Sequence, residues 1–97
     1  MSIKLSLIKN KYLKVRTLNI GASLYEVNFN KNNLILNLGN IKNYKKKHPY
    51  VGSTCGRYAN RISQAQFYIK GKKFNLVKNE KSNTLHGGKK GFDKIIW

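Results

Sequence analysis

Apolar and polar residues alternate through much of the chain, the two-residue period of strands that bury one face. The amino-terminal run carries Ile3, Leu5 and Leu7 on alternate positions, and between Tyr12 and Leu18 the residues Leu13 and Val15 alternate with Lys14 and Arg16. Gly21-Ala22 interrupts the pattern as a turn or bulge would. It resumes from Ser23 to Phe29, with Leu24, Val27 and Phe29 among polar positions that include Tyr25 and Glu26. Asn30-Lys31-Asn32-Asn33 supplies residues that close hairpins, and Leu34-Ile35-Leu36-Asn37-Leu38 predicts a short apolar strand that stops at Gly39. The first part of the chain therefore predicts a β-meander. Further on, Gln66-Phe67-Tyr68-Ile69 and Lys73-Phe74-Asn75-Leu76-Val77 flank Lys70-Gly71-Lys72, a hairpin pattern. No segment sustains the 3.6-residue period of a helix, and no repeat or low-complexity linker divides the chain. The pattern predicts one all-β domain of antiparallel strands and hairpins. Lys94-Ile95-Ile96-Trp97 closes the sequence as an apolar, β-prone run with no turn or cap after it. That run reads as a strand cut in mid-course, so the chain is expected to be a fragment, with an apolar edge that invites edge-to-edge pairing.

Composition adds little to this picture and excludes more than it proposes. At 97 residues the chain holds at most one small domain. Its formal charge of +17 sets 20 Lys and Arg against three acids, Glu26, Glu80 and Asp93. Such an excess draws polyanions through counterion release. Only Arg16, Arg57 and Arg61 are arginines, however, whereas 17 cations are lysines and 13 residues are asparagines. Base reading and bidentate phosphate binding favour arginine. The charge therefore reads as a broad compositional bias and argues against nucleic acid as the partner. Residues 40–50 concentrate it, with Lys42, Lys45, Lys46, Lys47 and His48 around Tyr44 and Tyr50. A solvated loop accounts for that segment better than a phosphate patch does. His48 precedes Pro49 and is expected to be extended, a loop residue rather than a ligand. Cys55 is the only cysteine, which rules out an intrachain disulfide and a Cys-rich zinc site, and the expected setting is a soluble, cytoplasmic one. No signal-peptide core or membrane-spanning apolar run is present in the sequence.

Two stretches carry candidate chemistry. Residues 52–62 are rich in small side chains and then place Asn60 beside Arg61. Planar groups that donate and accept in fixed directions suit neutral polyols, and asparagine and arginine provide them. A loop in which Arg61 pairs with a carbonyl and Asn60 caps a turn explains the same residues. In the second stretch, Asn83-Thr84-Leu85-His86-Gly87-Gly88, an apolar residue and two glycines enclose a histidine. That order can hold an imidazole at a strand end, or it can be a surface turn.

Taken together, the stretches resemble a known family. His48-Pro49-Tyr50-Val51-Gly52 running into Gly56-Arg57-Tyr58-Ala59-Asn60-Arg61-Ile62 is similar to the amino-terminal signature of the aldose 1-epimerases, also called galactose mutarotases. Asn83-Thr84-Leu85-His86-Gly87-Gly88 with Lys90-Gly91-Phe92-Asp93-Lys94 and Trp97 resembles that family's next signature, and Gly21-Ala22 falls where the family has an early Gly-Ala pair. Val51 and Cys55 stand where Phe and a branched aliphatic are expected, swaps that leave the polar residues untouched.

The resemblance implies a galactose mutarotase-like β-sandwich, of which residues 1–97 would be the truncated, amino-terminal portion of a single domain. It implies interconversion of the α and β anomers of aldoses such as galactose or glucose, without metal or cofactor. By resemblance Asn60 and Arg61 bind sugar hydroxyls, and His86 binds near the ring oxygen and assists its polarisation. The family's general base, its second histidine and a sugar-binding aspartate would lie beyond residue 97. None of Glu26, Glu80 and Asp93 matches the base, so the chain alone is expected to be inactive. Two alternatives stand beside this reading: a small basic nucleic-acid-binding β protein, and a non-catalytic carbohydrate-binding module.

Overall fold

A computed structural model, which describes residues 2–97, is built from strands and short 3-10 turns, without an α-helix among the described residues. The expected all-β, antiparallel architecture is what forms. The strands are β1 (Leu5–Lys9), β2 (Leu13–Leu18), β3 (Ser23–Phe29), β4 (Asn32–Asn33), β5 (Arg61–Ile62), β6 (Gln66–Ile69), β7 (Lys72–Asn75) and β8 (Thr84–Leu85). They group into a four-stranded sheet in the order β1-β2-β3-β4 and two ribbons, β5-β8 and β6-β7. The chain divides into two compact units, one running up to Thr54 and including Asp93–Trp97, the other Cys55–Phe92.

The first unit is the predicted meander. Ile8 pairs with Val15 and Val15 with Val27, so one apolar row crosses three strands, whereas Leu7 of the expected alternating set pairs with Arg16 and stays exposed. A bulge at Arg16/Thr17 shifts the register between β2 and β3. Arg16 donates to the Glu26 carboxylate across those strands. Gly21 and Ala22 both adopt positive φ in the β2–β3 turn, confirming the break expected there. Leu18, Ile20 and Tyr44 form the buried core, joined by Ile3, Tyr25, Leu38, Ile41 and Ile96. Ile96 reaches this cluster as a single bridge opposite Ile20, not as a full strand.

The predicted strand over residues 34–38 does not form. The ladder ends at Asn33, with one last main-chain bond from Leu34 N–H to the Val27 carbonyl, because asparagine side chains take the backbone groups that it would use next. Asn33 Oδ1 accepts from Val27 N–H, and its Nδ2 donates to the Ile35 carbonyl. Asn37 Nδ2 donates to the Tyr25 carbonyl. Leu34 and Leu36 stay exposed as a result. The basic segment that follows is partly ordered, as a 3-10 helix over Ile41–Lys45 whose first turn is capped by Asn40. Tyr44 is buried there, edge-on to Tyr25 and His48, while Lys45, Lys46 and Lys47 face solvent. One of the two tyrosines interleaved with those lysines is therefore a core residue.

The second unit contains the predicted hairpin. Lys70 and Gly71, both at positive φ, join β6 to β7, the backbone that a two-residue hairpin turn requires. Phe67 and Phe74 stack across it with ring centroids 5.2 Å apart. Ala65 and Thr84 are its most buried side chains.

Candidate functional site

Arg61 and Leu85 sit opposite each other in the β5–β8 ribbon, so the residues just outside the pairing, Asn60 and His86, meet at one end. Two hydrogen bonds join them reciprocally. The His86 N–H donates to the Asn60 carbonyl at 3.0 Å, and the Asn60 N–H donates to His86 Nδ1 at 2.9 Å. Both residues hold left-handed backbone, with φ of 62° at Asn60 and 48° at His86. Asparagine and histidine are among the few non-glycine residues that visit this region readily. Because Nδ1 accepts from a main-chain amide, the neutral ring carries its proton on Nε2.

Three further devices hold this end of the ribbon. Asn79 clamps the far edge of β8, its Oδ1 accepting from Leu85 N–H at 2.7 Å and its Nδ2 donating to Leu85 O at 2.9 Å. One side-chain amide thus replaces a neighbouring strand. Gly87, at φ 86°, runs so close to the Gly56 carbonyl that a Cβ would lie 1.8 Å from its oxygen. Gly56 O also accepts from Phe92 N–H, and the Phe92 ring fills the space where a Gly56 Cβ would go. The two sequence stretches therefore need glycine where they touch.

Arg61 pairs with Glu80 rather than with a carbonyl. Its Nε donates to Glu80 Oε2 at 3.1 Å, and its NH1 lies 3.4 Å from Asn60 Oδ1. Glu80 is delivered by a tight turn in which the Glu80 and Asn83 main chains bond reciprocally and Asn83 Nδ2 reaches the same carboxylate oxygen. Hydrogen bonds from Asn83 and then Arg61, aided by the charges of Arg61 and Lys81, hold the Glu80 carboxyl below the usual 4.5. A carboxyl depressed in the folded state contributes stability above pH 4.5 that is lost as pH falls through its folded value. An NMR titration of the Glu80 side chain is expected to give a midpoint below that of the urea-unfolded chain. An equal or higher midpoint would contradict the pairing.

The structure thus brings Asn60, Arg61 and His86 together, Asn60 and Arg61 exposed and His86 half-buried. Glu80 and Asn79 join them without having been singled out from the sequence. A cavity of about 440 Å³ lies in the same unit, lined by Tyr58, Val77, Thr84, Gly88 and Lys90 among others, but by none of the three. Among the described residues no group of three His, Cys, Asp or Glu side chains could hold a metal. No helix among them is long and apolar enough to cross a membrane.

The chain as a whole has counterparts among known proteins. The family model for aldose 1-epimerase matches residues 4–97. The chain belongs to the aldose 1-epimerase family. Galactose mutarotase of Sus scrofa is 45% identical over 64 residues, which are 66% of this chain and 19% of that protein. The bifunctional protein gal10 of Schizosaccharomyces pombe is 43% identical over 84 residues, 84% of this chain and 12% of that protein. Among solved structures, the GalM/aldose epimerase homologue from C. elegans superposes with a TM-score of 0.90 at 30% identity, covering 99% of this chain and 31% of its own. Galactose 1-epimerase from Lactobacillus acidophilus gives 0.85 at 28% identity, covering 99% and 33%. The chain therefore has the strands of a galactose mutarotase-like β-sandwich and spans about a fifth of the mutarotases it matches.

Proposed function

We propose that this chain is the amino-terminal portion of a single aldose 1-epimerase domain, and that it supplies the sugar-binding wall of an enzyme that interconverts the anomers of aldoses such as galactose or glucose. The observation that carries this is the reciprocal pairing of Asn60 with His86, with Arg61 alongside. It gathers an amide, a guanidinium and an imidazole on one short ribbon, side chains suited to a neutral polyol. In this reading Asn60 and Arg61 hold sugar hydroxyls, and His86 Nε2–H points its proton at the ring oxygen.

The reaction requires two proton movements. A base takes the proton from the C1 hydroxyl as an acid protonates the ring oxygen, and the C1–ring oxygen bond breaks to leave an open-chain aldehyde. Rotation about the C1–C2 bond and closure on the other face then give the second anomer. A donor near the ring oxygen favours the opening by stabilising charge that develops there. We assign this polarising role to His86, with no metal or cofactor, and leave the decisive acid and base to other groups. Cys55 as the only cysteine supports a cytoplasmic setting.

Titration of ¹⁵N-labelled chain with D-galactose tests the reading. The amide signals of Asn60, Arg61 and His86 are expected to move together, saturably, and to stay unmoved in Asn60→Ala/His86→Ala. Silence toward sugar, with salt-sensitive binding to RNA instead, would overturn the sugar-binding role of this ribbon and favour a polyanion as its ligand.

A further inference from the structure

We infer that Glu80 is a positioning and selectivity residue of the sugar site: it fixes the Arg61 guanidinium through Nε and cancels its charge, so that the site takes neutral aldoses over anionic ones. This rests on the epimerase reading above and adds a residue that the two signature stretches did not single out.

The geometry carries the first half. An arginine has three kinds of N–H, and the one nearest its stem, Nε, is taken by Glu80 at 3.1 Å. That bond sets the plane of the guanidinium and turns its outer fork toward Asn60, whose Oδ1 lies 3.4 Å from NH1. The carboxylate can act so because its own position is fixed from behind. Asn83 Nδ2 donates to the same Oε2 at 3.2 Å, and the Glu80 and Asn83 main chains exchange hydrogen bonds across the turn. Asn83 is itself anchored, with Oδ1 accepting from Gln64 N–H. The order of support runs from turn to Asn83, to Glu80, to Arg61, to sugar.

Charge carries the second half. The chain has a net charge of +17, yet at the proposed sugar wall the charge of Arg61 is met by Glu80, with Lys81 the further cation acting on that carboxylate from the turn. A chain otherwise attractive to anions thus holds one of its three acids against the arginine of its sugar site. A neutral polyol loses nothing in such a place, whereas a sugar carboxylate or phosphate meets Glu80 as a like charge. Replacing the carboxylate by an amide of the same shape removes the repulsion and keeps an acceptor for Nε.

The test uses the ¹⁵N-labelled 97-residue chain, with D-galactose and D-galacturonate as probes, in wild type, Glu80→Gln, Glu80→Ala, Arg61→Lys and Arg61→Lys/Glu80→Ala. Glu80→Ala is expected to move the Arg61 Nε–H signal and weaken galactose binding about threefold, the size suited to an exposed ion pair. Glu80→Gln, which keeps the partner of Asn83, should shift the galacturonate-to-galactose affinity ratio upward by about threefold or more. In the Arg61→Lys background the alanine change should cost nothing further, since its route runs through the guanidinium. An unmoved Nε–H signal, an equal cost in both backgrounds or an unchanged sugar ratio would each overturn the role of Glu80 while sugar binding stands. Failure of the wild-type chain to bind galactose would overturn the sugar-wall role proposed for the β5–β8 ribbon, and this inference with it.

Discussion

Gly87→Ala is expected to abolish the ordered structure of Cys55–Phe92, whereas Gly88→Ala should be tolerated at a modest cost. The two glycines share a positive φ, 86° and 82°, so both substitutions meet the strain that an alanine feels there, about 1–2 kcal/mol. They differ in what stands nearby. At Gly88 the closest atom to an added Cβ is the Thr84 methyl at 3.7 Å, ordinary contact. At Gly87 it is the Gly56 carbonyl oxygen at 1.8 Å, with the carbonyl carbon at 2.6 Å. That neighbour is main chain and has no rotamer into which to retreat, so the two stretches have to part. Parting also breaks the approach that lets Gly56 O accept from Phe92 N–H. The total is expected to exceed about 4 kcal/mol, most of the stability available to a small unit. Amide dispersion in residues 55–92 reads the outcome directly. A Gly87→Ala chain with native dispersion and a loss below about 1 kcal/mol would show that the contact is far looser than described.

The 97-residue polypeptide is expected to leave the mutarotation of fresh α-D-galactose or α-D-glucose at its spontaneous rate. General acid–base catalysis contributes roughly 10²–10⁴-fold and needs a carboxylate or imidazole that can take a proton from the C1 hydroxyl. The sequence contains three acidic side chains, and each has one carboxylate oxygen held by a partner. Glu26 accepts from Arg16 and Asn28, Glu80 from Arg61 and Asn83, and Asp93 pairs with Lys94 at 2.8 Å. His86 Nδ1 is occupied by the Asn60 amide, which leaves its ring as a donor through Nε2. Polarimetry against a protein-free control decides the point. Acceleration that disappears in His86→Ala would mean that a base is present after all, and Glu80 would be the first residue to replace.

Much of the fold was legible because its strands alternate cleanly. Ser23–Phe29 and Gln66–Ile69 form where the apolar period places them, and the Lys70-Gly71 turn follows from glycine between two such runs. Leu34–Leu38 misled because periodicity counts apolar side chains and is blind to asparagines that compete for the ladder. The same blindness hid Asn79, whose amide acts as a surrogate strand for Leu85. Asn60, Arg61 and His86 were legible through their two motifs, and the ribbon joins them. Glu80 was not, because a lone acid in a lysine-rich turn looks like solvated surface until its distance to Arg61 is known. Its one signal was rarity, one acid of three among 20 cations.

The bond from the Asn60 amide to His86 Nδ1 has a consequence for how such a site can diversify. Many histidines have their tautomer set by a side-chain partner, so that changing the partner changes the proton. Here a main-chain N–H does that work, and it survives replacements at position 60 that keep the left-handed backbone, such as aspartate or glycine, while proline removes it. In the proposed sugar site, the side chain at position 60 can therefore be exchanged within that limit while the imidazole keeps its proton where it was. The proposed recognition and the placement of the proton then rest on the same residue through different atoms, which lets one drift while the other stays fixed.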